Sequence, residues 1–124
     1  MLGFFVRIID QFPPEQQAQI RTMLSESLRG VIAQVLCKTK GGGRVAAYEI
    51  LVTTPAVANL IREGKTYQIP SLLQTGRALG MQTLNDHLLQ HVKAGLVEPK
   101  EALMKSNDKQ TFKDLLTKSG VKLD

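Results

Sequence analysis

The sequence has no tryptophan, two tyrosines and four phenylalanines, so it offers no array of rings for stacking on single-stranded nucleic acid. Its one cysteine, Cys37, has no partner for an internal disulfide, which points to a reducing, cytoplasmic setting. No apolar run approaches the ~18 residues that a helix needs to cross a bilayer, so a soluble chain is expected. The apolar start, residues 1–6, is too short for a signal peptide, and no small-residue cleavage pattern follows it. It reads as the cut end of a longer element.

What is present fits one modest domain: 124 residues, 43% hydrophobic and 22% charged, too apolar for a disordered tail. The net charge of +5 raises nucleic acid or an acidic membrane surface as partners. Lysine and arginine are spread along the whole chain, however, and the densest group, residues 100–118, is interleaved with Glu101, Asp108 and Asp114. This pattern argues against nucleic-acid binding.

Pro13 and Pro14 mark a helix start, and Ile20, Met23, Leu24 and Leu28 follow at helical spacing, with Gly30 as the expected stop. Residues 31–37 and 45–52 are rich in apolar and β-branched side chains and flank Lys38-Thr39-Lys40-Gly41-Gly42-Gly43-Arg44, which predicts a β-hairpin. Few charges in either run predict strands covered on both faces. Beyond residue 52 the chain reads as helices. Thr54-Pro55 opens one, with Val57, Leu60 and Ile61 as its apolar face and Gly64 at its end. Residues 71–79 form a second, interrupted by Gly76 and closed by Gly80. Thr83 caps a third, with a stripe of Leu84, Leu88 and Val92 and a stop at Gly95. Two short helices follow over 99–105 and 109–118, the last burying Phe112, Leu115 and Leu116.

Several constellations invite a chemical reading and fail on inspection. The Gly41-Gly42-Gly43-Arg44 cluster joins two strands and is not closed by Lys-Ser or Lys-Thr, so it reads as a turn and not a phosphate loop. His87 and His91, four apart, share a helix face, yet no third ligand stands at metal spacing; two partly solvated histidines beside the leucine stripe are expected. Ser25 and Ser27 lack a nucleophile elbow, and Cys37 lies in a strand expected to be buried, where a thiol is inert. Glu49 is a lone acid in an apolar strand and calls for a structural partner such as Arg44 or Arg29. The residues alone thus assign neither catalytic groups nor metal ligands. Asn59, Arg62 and Glu63 crowd the outer side of the helix after Pro55, a surface suited to docking.

Longer strings carry a resemblance. Arg7-Ile8-Ile9-Asp10-Gln11-Phe12-Pro13, Met23-Leu24-Ser25-Glu26-Ser27-Leu28, Gly41-Gly42-Gly43-Arg44-Val45-Ala46-Ala47-Tyr48-Glu49-Ile50, Thr54-Pro55-Ala56-Val57 with Asn59-Leu60-Ile61-Arg62-Glu63, and Gln74-Thr75-Gly76 with Gly80-Met81-Gln82-Thr83-Leu84 occur in order across the chain. Together they resemble the C-terminal region of the PilT family, the type IV pilus retraction ATPases of twitching motility. The resemblance implies an α+β, mostly helical fold: residues 1–53 as the end of a RecA-like, P-loop core with helix and hairpin, residues 54–124 as a helical bundle.

It implies a hexameric parent of the secretion superfamily that uses ATP and Mg, with its Walker A, Walker B and His-box histidines upstream of this chain. Only Arg7 matches the His box, as its closing arginine and a vestige of nucleotide binding. This stretch by itself is then not an enzyme and holds no cofactor. The family's retraction motif, Ala-Ile-Arg-Asn-Leu-Ile-Arg-Glu, maps onto residues 56–63; Ala58 departs from it, while Asn59, Leu60, Ile61, Arg62 and Glu63 match. Residues 1–5 also depart from the family pattern. The implied partners are further copies of the chain or intact ATPase subunits and, in the parent family, the pilus machinery of the inner membrane, to which the cytoplasmic ATPase is peripheral. A stand-alone truncated paralogue, acting as a protein-interaction module, is the alternative. Without the larger sheet, Ile8, Ile9, Val31, Ile32, Val45 and Ile50 are expected to leave apolar surface and an open strand edge that favour self-association.

Overall fold

The computed structural model describes residues 2–123; Met1, where the apolar start begins, lies outside them. The elements in chain order are α1 (Leu2–Asp10), α2 (Pro14–Ser27), β1 (Gly30–Lys38), β2 (Arg44–Val52), α3 (Pro55–Glu63), α4 (Ile69–Thr75), α5 (Leu84–Lys93), α6 (Pro99–Lys105) and α7 (Lys109–Lys118). Short 3-10 turns over Thr66–Gln68 and Arg77–Leu79 flank α4. The two strands pair as an antiparallel hairpin, and the rest is helix and connection, the α+β architecture expected.

The chain forms two compact units that both draw on the hairpin. The first takes the chain up to Ile32 together with Ile50–Met81. Its core is Phe5, Ile9, Leu51, Val57, Ile61, Ile69, Leu73 and Met81. Phe5 and Ile9, four apart on α1, point to one side, and the Phe4 and Phe5 rings meet edge to face at 5.1 Å. A helix thus runs from Leu2 and buries Phe5 completely.

Proline opens α2 at its first turn, but Gly30 does not close it. The helix stops at Ser27, Leu28 turns extended (φ −74°, ψ 127°), and Gly30 already belongs to β1. A Cβ on Gly30 would stand 3.0 Å from the Leu51 carbonyl oxygen, so close strand pairing favours glycine there. The expected stripe on α2 also changes. Met23 is 54% exposed, while Ser25 is buried, its hydroxyl donating to the Thr22 carbonyl at 2.6 Å.

Thr54 caps α3 by accepting the Val57 N–H, and Gly64 ends it in the left-handed region (φ 73°). The pattern read from Thr54, Pro55 and Gly64 therefore holds, as does the break at Gly76 and the close at Gly80 after α4.

The second unit takes Ala33–Glu49 and the chain from Gln82 onward. Cys37 and Ala47 from the hairpin meet Leu84, Leu88 and Val92 of α5, Ala102 of α6, and Phe112 and Leu116 of α7. Thr83 caps α5 by accepting the Asp86 N–H, and Asp108 caps α7 by accepting that of Thr111. The helices expected over 99–105 and 109–118 fall on α6 and α7 with the same bounds.

Coverage of both faces is not observed for β1, whereas β2 has no exposed residue beyond Arg44. Along β1 the odd residues 31, 33, 35 and 37 turn inward while Ile32, Gln34 and Leu36 are exposed. Only two strands pair among the described residues, so β1 alternates as a half-buried strand does. The expected apolar exposure is correspondingly smaller. Ile32 is 68% exposed, but Ile9 is buried and Ile8, Val31, Val45 and Ile50 are half-buried.

Candidate functional site

The residues singled out on the helix after Pro55 lie along α3. An α-helix places Val57 and Ile61 on one face, and both are buried in the first unit's core. That leaves Asn59, Arg62 and Glu63 outward, all exposed, with Leu60 half-buried at the boundary. The Arg62 Nη1 donates to the Asn59 Oδ1 at 2.9 Å, one turn earlier, and this bond arranges the guanidinium along the helix surface. Glu63 lies 3.4 Å from the Lys65 ammonium, an exposed pair of small energetic weight. Leu60 also lines an open groove of about 370 Å³ with Ala56, Gln68, Ser71 and Leu72. The segment thus joins a polar outer face, a shallow groove and a buried anchor on one helix of 9 residues. Ala58, where the family motif has an arginine, is half-buried on it.

Arg7 is exposed on α1. The glycine cluster forms the hairpin turn, and the Gly42 and Gly43 amides are spent within it. The Gly43 N–H donates to the Thr39 Oγ1 at 2.9 Å and the Gly42 N–H to the Thr39 carbonyl at 3.2 Å, with Gly42 at φ 95°. Such a turn does not fit a phosphate cradle, which needs those N–H groups converging on the anion.

The second unit holds the remaining sequence candidates. The Glu49 carboxylate is buried and its Oε2 accepts the Leu84 N–H at 3.1 Å, at the first residue of α5. A negative charge there meets amides that lack a helical partner and the positive end of the helix dipole. Nothing in the sequence signals this backbone partner; the Arg29 and Arg44 side chains expected to pair with Glu49 are exposed. Cys37 is fully buried, and burial pushes its thiol pKa up, followed by the nearby Glu101 carboxylate, with Lys105 opposing. That is the profile of an inert thiol.

His87 and His91 are both half-buried, with ring centroids 4.4 Å apart, and each bonds the backbone of β2. The Tyr48 N–H donates to the His87 Nδ1 at 2.9 Å, and the His91 Nε2 lies 2.8 Å from the Ala46 carbonyl oxygen. The Tyr48 ring stacks on His87 at 5.8 Å. No group of three or more histidine, cysteine or acidic side chains among the described residues is placed to hold a metal ion. Sequence spacing revealed the shared helix face but not these bonds, which span 39 and 45 residues.

No protein-family model matches the sequence. Individual proteins do. The type IV pilus retraction ATPase PilT of Pseudomonas aeruginosa is 51% identical over 106 residues, which are 86% of this chain and 31% of that protein. A twitching motility protein of Neisseria gonorrhoeae is 50% identical over 107 residues, 86% of this chain and 29% of its own. The chain spans less than a third of the length of either.

Among solved structures, that of the pilus retraction motor PilT with bound ADP superposes with a TM-score of 0.81 at 40% identity, over 92% of this chain and 32% of that one. The Legionella pneumophila ATPase DotB, at 19% identity and a TM-score of 0.63 over 95% of this chain and 29% of its own, shares the fold. Sequence identity of this extent, carried on the same fold, makes the chain a homologue of the pilus retraction ATPase PilT over the part of that protein that it spans.

Proposed function

We propose that this chain serves as the non-catalytic C-terminal part of a PilT-like hexameric motor that powers type IV pilus retraction and twitching motility. In this reading residues 1–53 complete the RecA-like core and residues 54–124 supply helical packing between subunits. The chain performs no hydrolysis by itself; ATP and Mg act in the parent's other parts, and Arg7 borders them. The assembly works in the cytoplasm against the inner-membrane pilus machinery. The observation that carries the reading is the 51% identity to a pilus retraction ATPase over 106 residues. The fold likeness to a retraction motor supports it independently.

Within that role α3 is the coupling element. Val57 and Ile61 anchor it, while Asn59, Arg62 and Glu63 face outward, free to transmit a push to whatever docks there. Leu60 and the groove beside it give such a partner an apolar foothold.

The test is a graft. This chain replaces the matching segment of Pseudomonas aeruginosa PilT in a strain lacking that protein, with and without Arg62→Ala. We expect the graft to restore the twitching zone, and Arg62→Ala to abolish it with ATP hydrolysis and hexamer size retained. A graft that assembles and hydrolyses ATP yet never restores twitching would overturn the motor reading. An Arg62→Ala graft that twitches normally would remove α3 as the coupling element.

A further inference from the structure

The two histidines of α5 make opposite demands on their protons. A carbonyl oxygen only accepts, so the His91 Nε2 must carry a hydrogen to bond Ala46, and it does so whether the ring is neutral or charged. The Tyr48 N–H only donates, so the His87 Nδ1 must offer a lone pair, and it can do so only while that nitrogen is unprotonated. Both bonds join α5 to alternate residues of β2, Ala46 and Tyr48, on the same side of the strand. They act as two rungs between one helix and one strand, of which one is lost on protonation and the other is not.

We propose that this α5–β2 joint is a pH-operated clasp, in which protonation of His87 ejects the Tyr48 amide and loosens α5 from the strand while His91 keeps its hold on Ala46. Ionisable groups flank the His87 ring from both its own helix and the strand. From its own helix it faces His91, whose ring lies 4.4 Å away, so a charge on either imidazole repels the other. From β2 it faces the Tyr48 ring, stacked at 5.8 Å. Asp86 precedes it in the first turn of α5.

Burial first, and then the neighbouring His91, hold the His87 pKa below the ordinary histidine value against a smaller opposing contribution from the Tyr48 backbone. A lowered folded-state pKa means that the unfolded chain binds the proton more readily. The stability from the closed clasp is therefore complete above pH ~6.5 and is lost as pH falls below that value, through the lowered folded-state pKa. Tyr48 also accepts from the Gln82 side chain at 2.8 Å through its carbonyl, so the strand keeps a tie to the start of α5 when its amide is released. The opening is local.

Amide hydrogen exchange of the full chain, corrected for the intrinsic pH dependence, tests the clasp. Between pH 7.5 and 5 we expect the protection of the Tyr48 amide to fall roughly tenfold, the loss of one hydrogen bond, while that of Phe112 and Leu116 holds. In His87→Asn, whose Oδ1 stands where the Nδ1 does and does not titrate, the Tyr48 amide should stay protected across the range. In His91→Gln, which keeps a donor at the Nε2 position and removes the repulsion, the opening midpoint should move to higher pH. Equal protection of Tyr48 at both pH values in the wild-type chain overturns the proposal without any variant. So does a loss that His87→Asn fails to suppress, or one shared equally by Phe112 and Leu116.

Discussion

Replacing Gly76 by alanine tests the packing of the first unit at its tightest point. Gly76 is buried just past α4, with φ −96° and ψ 17°, a backbone that any residue adopts. Its requirement is therefore one of space. A Cβ would stand 2.5 Å from the Met81 Sδ and 2.9 Å from the Leu72 carbonyl oxygen. The thioether can swing aside, at the expense of its place in a core where Met81 is 5% exposed. The carbonyl, held in the last turn of α4, cannot.

Overpacking of this kind costs about 1–3 kcal/mol, and the loss of chain freedom in the unfolded state returns about 0.4–1 kcal/mol. We expect Gly76→Ala to lose about 1–2 kcal/mol net, which lowers the melting temperature by about 4–8 °C in far-UV circular dichroism for a chain of this size. Gly80, four residues on, supplies the contrast. It sits at φ 91° with nothing within 4 Å of an added Cβ, so its alanine variant carries only the left-handed backbone penalty of about 1–2 kcal/mol. Asparagine should recover part of that loss at Gly80 and make matters worse at Gly76. Removing Met81 should couple favourably to Gly76→Ala and leave Gly80→Ala unaffected. A Gly76→Ala chain as stable as the wild type would refute the steric argument.

Two further outcomes follow from the second unit. Thr83→Ala should lower its stability by about 1 kcal/mol in urea, because the Asp86 amide loses its capping oxygen, and Thr83→Ser should restore it. Cys37 should alkylate at least ~10-fold more slowly in the folded chain than in denaturant. Because its folded-state pKa is raised, the stability linked to this thiol is present below pH ~8.5 and lost as pH rises through the raised value, measurable as a falling urea midpoint.

Helices that announce themselves with local chemistry were legible in the sequence. Thr54 and Thr83 each cap the helix that follows with a side-chain oxygen, and Gly64 and Gly80 supply left-handed stops. Where the signal is tertiary the reading went astray. Helix α1 carries no N-terminal cap cue, and its run of phenylalanine, valine and isoleucine suits a strand as well; what holds it is the burial of Phe5 and Ile9. Gly30 looks like a helix stop but serves strand pairing against Leu51. At the site, the outward turn of Asn59, Arg62 and Glu63 could be read from helical spacing alone. The bond between Glu49 and the Leu84 amide could not, since a lone acid in a strand gives no sign of which helix end will arrive above it.

One small group in the second unit bears on how this chain can change over time. Ser106 donates to the Asn85 Oδ1, Asn85 donates to the Asp108 carbonyl, and the Asp108 amide returns to the Ser106 hydroxyl, with both Asn85 and Ser106 buried. The leucines and phenylalanine around it can trade places with other apolar residues at modest expense. Asp108 enters this ring through its backbone alone, but neither Asn85 nor Ser106 can be altered singly without stranding a partner away from water. Drift at residue 85 must therefore wait for residue 106, and the connection from α6 to α7 should be among the slowest parts of the helical half to diverge.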